Sequence, residues 1–166
     1  CKFLNVKYKK NICISVIPAS CYGPYDNFDP VSSHVLSGIM RKMIEKKFSN
    51  SDEILLWGSG KVRREFIYVD DLSKAILHLL PKETLTEILN IGVGDDFTIN
   101  KLAHMIAETV NFNGKILWDN KNPDGASRKL LDSREVFKMN WSPRINLSEG
   151  LSLTYNWLMK NGEFIK

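Results

Sequence analysis

The feature that most constrains this chain is the transition at residues 12–34. An apolar run rich in β-branched residues, Ile12-Cys13-Ile14-Ser15-Val16-Ile17, stops at a proline. It opens into the polar, aromatic segment Pro18-Ala19-Ser20-Cys21-Tyr22-Gly23-Pro24-Tyr25-Asp26-Asn27-Phe28, which runs on to Ser32-Ser33-His34. A short apolar run bounded by turn signals reads as a buried strand. In doubly wound α/β proteins, ligands lie just beyond the carboxyl ends of such strands. Residues 18–33 read as one long loop, and structureless loops of that length in compact domains are functional or disordered. The chemistry of the chain is therefore expected here.

The remaining pattern supports an α/β class. Residues 2–9 carry apolar side chains at helical spacing and read as the tail of a helix, with Asn11 as punctuation. Ser32-Ser33 can cap a helix reaching about Phe48, with Val35, Leu36, Ile39, Met40 and Met43 on its inner face. Strands are expected at 53–57, in the alternating stretch 64–69, at 89–92 and at 115–119. Helices are expected at 72–80, ended by Pro81, and at 99–110, where Thr98 is the cap. Asp70-Asp71 read as helix-start carboxylates opposing the helix dipole. A polar loop at 119–129 and two helices near 133–139 and 147–160 complete the order, which implies alternating strands and helices.

Composition excludes several classes. The chain has 166 residues, enough for one sizeable core. A net charge of +4, with 23 basic and 19 acidic residues intermixed, is too mild to argue for nucleic acid. No apolar run approaches the ~18 residues of a membrane span. Three cysteines, Cys1, Cys13 and Cys21, lack metal-ligand spacing, and their odd number argues against a disulfide framework. Cys13 reads as a buried small hydrophobe. A reducing, cytoplasmic setting is expected, and no metal site. The first residue is not Met and the chain opens in a helical pattern, so a fragment is expected.

Five runs occur in an order that carries a resemblance: Pro18 to His34; Trp57-Gly58-Ser59-Gly60; Arg64-Glu65-Phe66-Ile67-Tyr68-Val69-Asp70-Asp71; Asn90-Ile91-Gly92; and Pro123-Asp124-Gly125 followed by Arg128-Lys129-Leu130-Leu131-Asp132. Together they resemble the C-terminal half of the GDP-L-fucose synthase family, within the extended short-chain dehydrogenases/reductases. The Arg-Glu-Phe-x-x-Val-Asp-Asp run is shared by many nucleotide-sugar epimerases and dehydratases. Pro-Asp-Gly with Arg-Lys-Leu-Leu-Asp, and Tyr-Gly-Pro-x-Asp-Asn-Phe ahead of Ser-His, are narrower.

The resemblance implies a fold and an activity. The fold is the C-terminal part of a Rossmann-type doubly wound sheet plus a smaller mixed α/β substrate-binding domain. Residues 1–23 would be the tail of the dinucleotide-binding domain and residues 24–166 the substrate portion, with returning elements that pack on it. The reaction is epimerisation of a GDP-linked 4-keto-6-deoxy sugar at C3 and C5, then reduction of the C4 ketone by NADPH. The family uses a cysteine and a histidine as acid and base. By the resemblance the matching histidine is His34; an imidazole with an ordinary pKa near 6.5 can exchange protons at working pH. The partner cysteine, the Tyr-x-x-x-Lys pair and the glycine-rich turn lie upstream in the family, so NADP(H) would be held mainly outside this chain. Pro18, Ala19, Ser20, Cys21 and His34 match the segment beside the nicotinamide.

Substrate contacts follow in the same way. Arg64 matches an arginine on the sugar diphosphate, and a guanidinium can bind two oxygens at once. Lys42 stands where the family has another arginine. Trp57 matches a pocket tryptophan, and Asp124 and Lys129 lie in the loop that closes over the nucleotide. The family's usual Pro-Thr-Asn-Leu is replaced by Pro18-Ala19-Ser20-Cys21, which leaves open a related substrate such as a deoxyheptose. A homodimer is the family's common state.

Other residues have plainer readings. Gly92-Val93-Gly94 follows a strand but lacks the third glycine, so it is a turn and not a dinucleotide fingerprint. Trp118, Trp141 and Trp157 read as structural, and His78 and His104 as helix residues. Without the upstream residues, the isolated polypeptide is expected to be inactive or a binding module only.

Overall fold

The structure, a computed structural model, describes residues 1–10, 12–81, 88–121 and 123–161. In chain order its elements are α1 (Lys2–Tyr8), β1 (Ser15–Pro18), β2 (Ser20–Tyr22), α2 (Val35–Phe48), β3 (Glu53–Trp57), β4 (Arg63–Arg64), β5 (Phe66–Tyr68), α3 (Val69–Leu79), β6 (Ile88–Ile91), β7 (Phe97–Thr98), α4 (Ile99–Val110), β8 (Lys115–Asp119), β9 (Arg128–Lys129), α5 (Arg134–Lys138) and α6 (Leu147–Asn161). The class is mixed α/β. Among the described residues no helix is long and apolar enough to cross a membrane.

The first strand begins later than its apolar run suggests. Asn5 is buried on α1 and turns its amide onto the chain at 12–13. Its Oδ1 accepts from Ile12 N (3.0 Å) and Cys13 N (2.9 Å), while its Nδ2 donates to Cys13 O (2.8 Å). The side chain substitutes for a neighbouring strand, so ladder pairing starts at Ser15. Cys13 is half-buried there, not a core residue. Asn11 lies outside the described residues.

β1 runs parallel to β6, with Ser15 opposite Ile88 and Pro18 opposite Ile91. Pro18 has no N–H, but Ala19 N donates to Ile91 O (2.9 Å) and closes the ladder. One residue later the chain changes partner. Ser20 N donates to Glu65 O (3.2 Å), and β2 runs parallel to β5. The expected loop at 18–33 is therefore shorter: it begins at Gly23, because residues 20–22 are recruited into a second ladder. β3 and β8 form a third parallel pair, and β7-β4-β9 a small mixed sheet.

Two hydrophobic clusters flank these strands. The larger gathers α2, α4 and α6 around Leu36, Met40, Leu102, Ile106 and Leu151. The smaller holds Ala75, Leu79, Leu89, Ile91, Val136 and Trp141. β5 lies between them, with Phe66 and Tyr68 in one cluster and Ile67 in the other. All three residues are buried, so the expected alternation across 64–69 fails. A parallel strand covered on both faces has no solvent side to alternate toward. α4 follows its sequence closely: Leu102, Ala103, Ile106 and Val110 point inward, and the Thr98 hydroxyl accepts from Lys101 N at 3.1 Å. Burial of a side chain the size of Leu102 stabilises by about 1.5–3 kcal/mol.

Two helix starts differ from expectation. α2 is capped by His34, without a side-chain bond, and not by Ser32-Ser33; Val35 is exposed rather than inward. α3 begins at Val69, earlier than expected, and has Asp70 and Asp71 in its first turn as the sequence indicated. The Asp71 carboxylate is buried and accepts from Arg144 N (2.9 Å) and Ile145 N (2.8 Å), pinning the segment before α6.

Glu65 is the central joint. Its side chain is 2% exposed. Oε1 accepts from Val93 N (2.7 Å) and Gly94 N (2.8 Å), and Oε2 accepts from Leu131 N (2.9 Å). Gly92 makes the approach possible: a Cβ there would sit 2.3 Å from Glu65 Oε1. Replacing Glu65 by Ala leaves three amides without their acceptor. Each costs on the order of 1 kcal/mol or more, so Glu65→Ala is expected to lose about 2–4 kcal/mol in urea unfolding of the full-length protein. A loss below about 0.5 kcal/mol contradicts the joint.

Candidate active site

The residues before His34 fold against themselves. Asp29 Oδ1 accepts from Val31 N (3.0 Å), Ser32 N (2.9 Å) and the Ser32 hydroxyl (2.9 Å). Asn27 Nδ2 donates to Ser32 Oγ (3.0 Å), and Asp29 N donates to Asn27 Oδ1 (2.9 Å). The bonds from Ser32 and Val31 hold the Asp29 carboxyl below the usual range. Arg41 Nη1 donates to Phe28 O (2.8 Å), and the buried Phe28 ring stacks on Trp157. The Asp26-Asn27-Phe28 run is thus a brace that delivers the chain to His34 at the start of α2. The imidazole makes no cap bond there, and no hydrogen bond of its ring to any described residue is present. It is exposed.

Two cavities meet at this imidazole. One, of about 470 Å³, is lined by His34, Lys42, Trp57, Trp118 and Asp124 among others. The second, of about 650 Å³, is lined by Pro18, Ala19, Ser20, Cys21, His34, Arg64 and Lys129 among others. His34 and Val35 belong to both walls. Every residue that the sequence singled out therefore borders one of two adjoining spaces, although they are spread over more than a hundred positions.

The first cavity is an aromatic slot with charge at its rim. Trp57 ends β3 with 69% of its surface exposed, so it is not a core residue. Trp118 on β8, expected to be structural, also lines the slot. Lys42 projects from the exposed side of α2. Asp124 is engaged within the protein: Ser59 N donates to its Oδ1 (3.0 Å) and the Ser59 hydroxyl to its Oδ2 (2.5 Å). Those two bonds hold its carboxyl below the usual range. Gly58 has φ +84°, and a Cβ there would lie 2.7 Å from Asp124 Oδ1. The Pro123-Asp124-Gly125 turn is thereby latched across the Gly58–Gly60 turn. Ser59 carried no signal in the sequence beyond its place in a Gly-Ser-Gly turn.

The second cavity is lined by two cations, Arg64 and Lys129, and by one carboxylate, Asp26. Arg64 Nη1 donates to Arg63 O and Ala126 O, both at 2.7 Å; no hydrogen bond of Nε or Nη2 to a described residue is present. Lys129, opposite Arg64 in the parallel β4·β9 ladder, is exposed. The short side chains of Ala19 and Ser20 and the Cys21 thiol line the same cavity. Burial pushes that thiol up, and the Asp26 charge adds to this, so Cys21 is a neutral wall residue and not a thiolate. Gly92-Val93-Gly94 is a turn, as its spacing indicated. The amides that a dinucleotide fingerprint would aim at a pyrophosphate are given to Glu65. His78 Nε2 is bonded to Met139 O and His104 Nδ1 to Asn100 O, both at 2.8 Å. No group of three or more potential metal ligands occurs among the described residues.

Residues 4–92 match the model of the NAD-dependent epimerase/dehydratase family, and the chain belongs to that family. Within it, the chain is an extended short-chain dehydrogenase/reductase and a homologue of GDP-L-fucose synthases. It is 45% identical over 148 residues to probable GDP-L-fucose synthase 1 of Oryza sativa subsp. japonica, a stretch covering 89% of this chain and 45% of that protein. A GDP-L-fucose synthetase of Naegleria fowleri, solved bound to NADP, superposes with a TM-score of 0.86 at 26% identity, covering 98% of this chain and 51% of that one. A GDP-6-OMe-4-keto-L-xylo-heptose reductase of C. jejuni gives a TM-score of 0.86 at 25% identity, covering 98% and 57%. The chain spans about half the length of the relatives it matches.

The latch carries a pH signature. Ionised Asp124 is favoured in the folded state, so its contribution is complete above the unfolded carboxylate value of about 3.9. It is lost as pH falls through the lower folded value. The hydrogen-exchange protection of the Ser59 amide is expected to fall in that acid window, and Asp124→Asn to remove the dependence. Equal protection on both sides of the window contradicts it.

Proposed function

We propose that this chain is the C-terminal, substrate-binding portion of an NADPH-dependent GDP-4-keto-6-deoxy-sugar 3,5-epimerase-4-reductase that makes GDP-L-fucose. Residues 1–23 serve as the tail of its dinucleotide-binding domain and the remainder as its substrate portion. The observation that carries this reading is the shared imidazole: one unbonded His34 ring stands between an aromatic slot and a cationic cavity. A nucleotide-linked sugar needs both. Trp57 offers an exposed indole face for the guanine, Lys42 a charge beside it, and Arg64 and Lys129 cations for the diphosphate. Asp124 is the guanine-side carboxylate, already oriented by Ser59.

The chemistry follows from the ketone. The C–H bonds at C3 and C5 flank the C4 carbonyl, so a base can remove either proton and leave an enolate. Return of a proton to the opposite face inverts the centre. His34 is the group of this chain placed to exchange that proton, and a positioned imidazole contributes about 10²–10⁴-fold. Inversion also requires a second acid–base group on the other face of the sugar. For the cofactor, the residues present fit a contact role only: Pro18, Ala19, Ser20 and Cys21 form a small, uncharged wall that admits a flat ring, and His34 closes it. When bound, NADPH supplies the hydride that reduces C4.

A second substrate has support in the same wall. Ser20 is shorter than an asparagine and Lys42 lacks an arginine's fork, which loosens the fit around the sugar and suits a GDP-linked deoxyheptose. Product analysis by NMR, with the full-length protein and both keto-sugars, separates the two.

In the full-length protein, His34→Gln is expected to suppress solvent-deuterium incorporation at C3 and C5 by at least about 100-fold, with GDP binding retained. Unchanged incorporation overturns the role. Trp57→Ala is expected to raise KM for the GDP-sugar by roughly tenfold, the loss of about 1.4 kcal/mol of stacking. An unaltered KM removes the indole from the site.

A further inference from the structure

The β4·β9 ladder sets four cations at two neighbouring rungs, Arg63 opposite Arg128 and Arg64 opposite Lys129. Like charges facing each other across strands are destabilising. Successive residues of a strand point to opposite faces, and the two rungs have different surroundings. Arg64 and Lys129 line the larger cavity. Arg63 and Arg128 both reach Asp96, which precedes β7 and is 3% exposed. Arg63 Nε donates to Asp96 Oδ1 (2.7 Å), Arg63 Nη2 to Asp96 O (2.7 Å), and Arg128 Nε to Asp96 Oδ2 (2.5 Å). One carboxylate thus cross-links all three strands of the small sheet.

We propose that Asp96 is the positioning residue of the anion subsite: by tying Arg63 to Arg128 it holds β9 against β4, and so sets the spacing of Arg64 and Lys129 for the two phosphates of a nucleoside diphosphate. The proposal rests on the reading of Arg64 and Lys129 as substrate cations. Burial works against the Asp96 charge, but the hydrogen bonds from Arg128 and Arg63 outweigh it and hold the carboxyl below its ordinary range. The carboxylate is therefore a permanent anion at neutral pH. Its direct electrostatic effect on a bound diphosphate is repulsive. Charge alone and positioning therefore give opposite signs on its removal.

The test is calorimetric titration of the full-length protein with GDP, with steady-state kinetics alongside. Asp96→Asn is expected to weaken GDP binding about tenfold and to raise KM for the GDP-sugar similarly, with kcat changed by less than about twofold. Arg128→Lys keeps the charge, loses the Nε–H bond, and alters a side chain that is 58% exposed. It is expected to weaken GDP binding several-fold with the fold intact. Unchanged or tighter GDP binding by folded Asp96→Asn overturns the proposal. If that variant does not fold, unchanged binding by Arg128→Lys overturns it. Arg64→Ala and Lys129→Ala keep the two questions apart. If the parent protein does not bind GDP, or if both alanine variants bind it normally, the reading of the site fails and this proposal with it. If GDP binding is lost in Arg64→Ala but kept in Asp96→Asn and Arg128→Lys, only the positioning role fails.

Discussion

A buried carboxylate accepting three backbone amides is the interaction on which the rest of this structure depends. Glu65 stands between Arg64, which faces the cavity, and Phe66, which enters the larger core. Its side chain gathers Val93, Gly94 and Leu131, while its carbonyl accepts from Ser20 N. Three distant segments are thus registered against one residue. Burying a carboxylate is costly unless its oxygens are satisfied, and amide dipoles satisfy them here without a counter-charge.

The same device recurs. Asp71 holds the chain at Arg144 and Ile145, and Asp96 holds Arg63 and Arg128. Asp124 does so at the surface, through Ser59. Of these joining acids only Asp124 also borders a cavity, the aromatic slot of Trp57 and Trp118, while Arg64, Lys129, Asp26 and the small residues Ala19 to Cys21 border the other.

Legibility in the sequence tracked the range of the interaction. α4 was readable from end to end because its cap, its period and its inward face are all local. β3 and β8 were readable for the same reason. β1 was displaced by Asn5, whose amide saturates Ile12 and Cys13 across a turn. Alternation failed in β5 because a second cluster covers the face that would otherwise meet solvent. The residues bordering the cavities were found through their order and motif context. Trp118 and Ser59 escaped, since a β-strand tryptophan and a turn serine carry no local sign of where they will face.

By itself, the sequence determined the class, the helices whose faces repeat at 3.6 residues, and the ordered motifs that mark the family. Those properties belong to residue types and short-range spacing. Only the tertiary structure decided that His34 would stand on a wall common to two cavities, that Asp71 would serve a segment other than its own helix, and that Glu65 would take the amides of the Gly92–Gly94 turn. Each of these depends on which distant backbone group a buried oxygen meets, and that is set when the chain closes on itself.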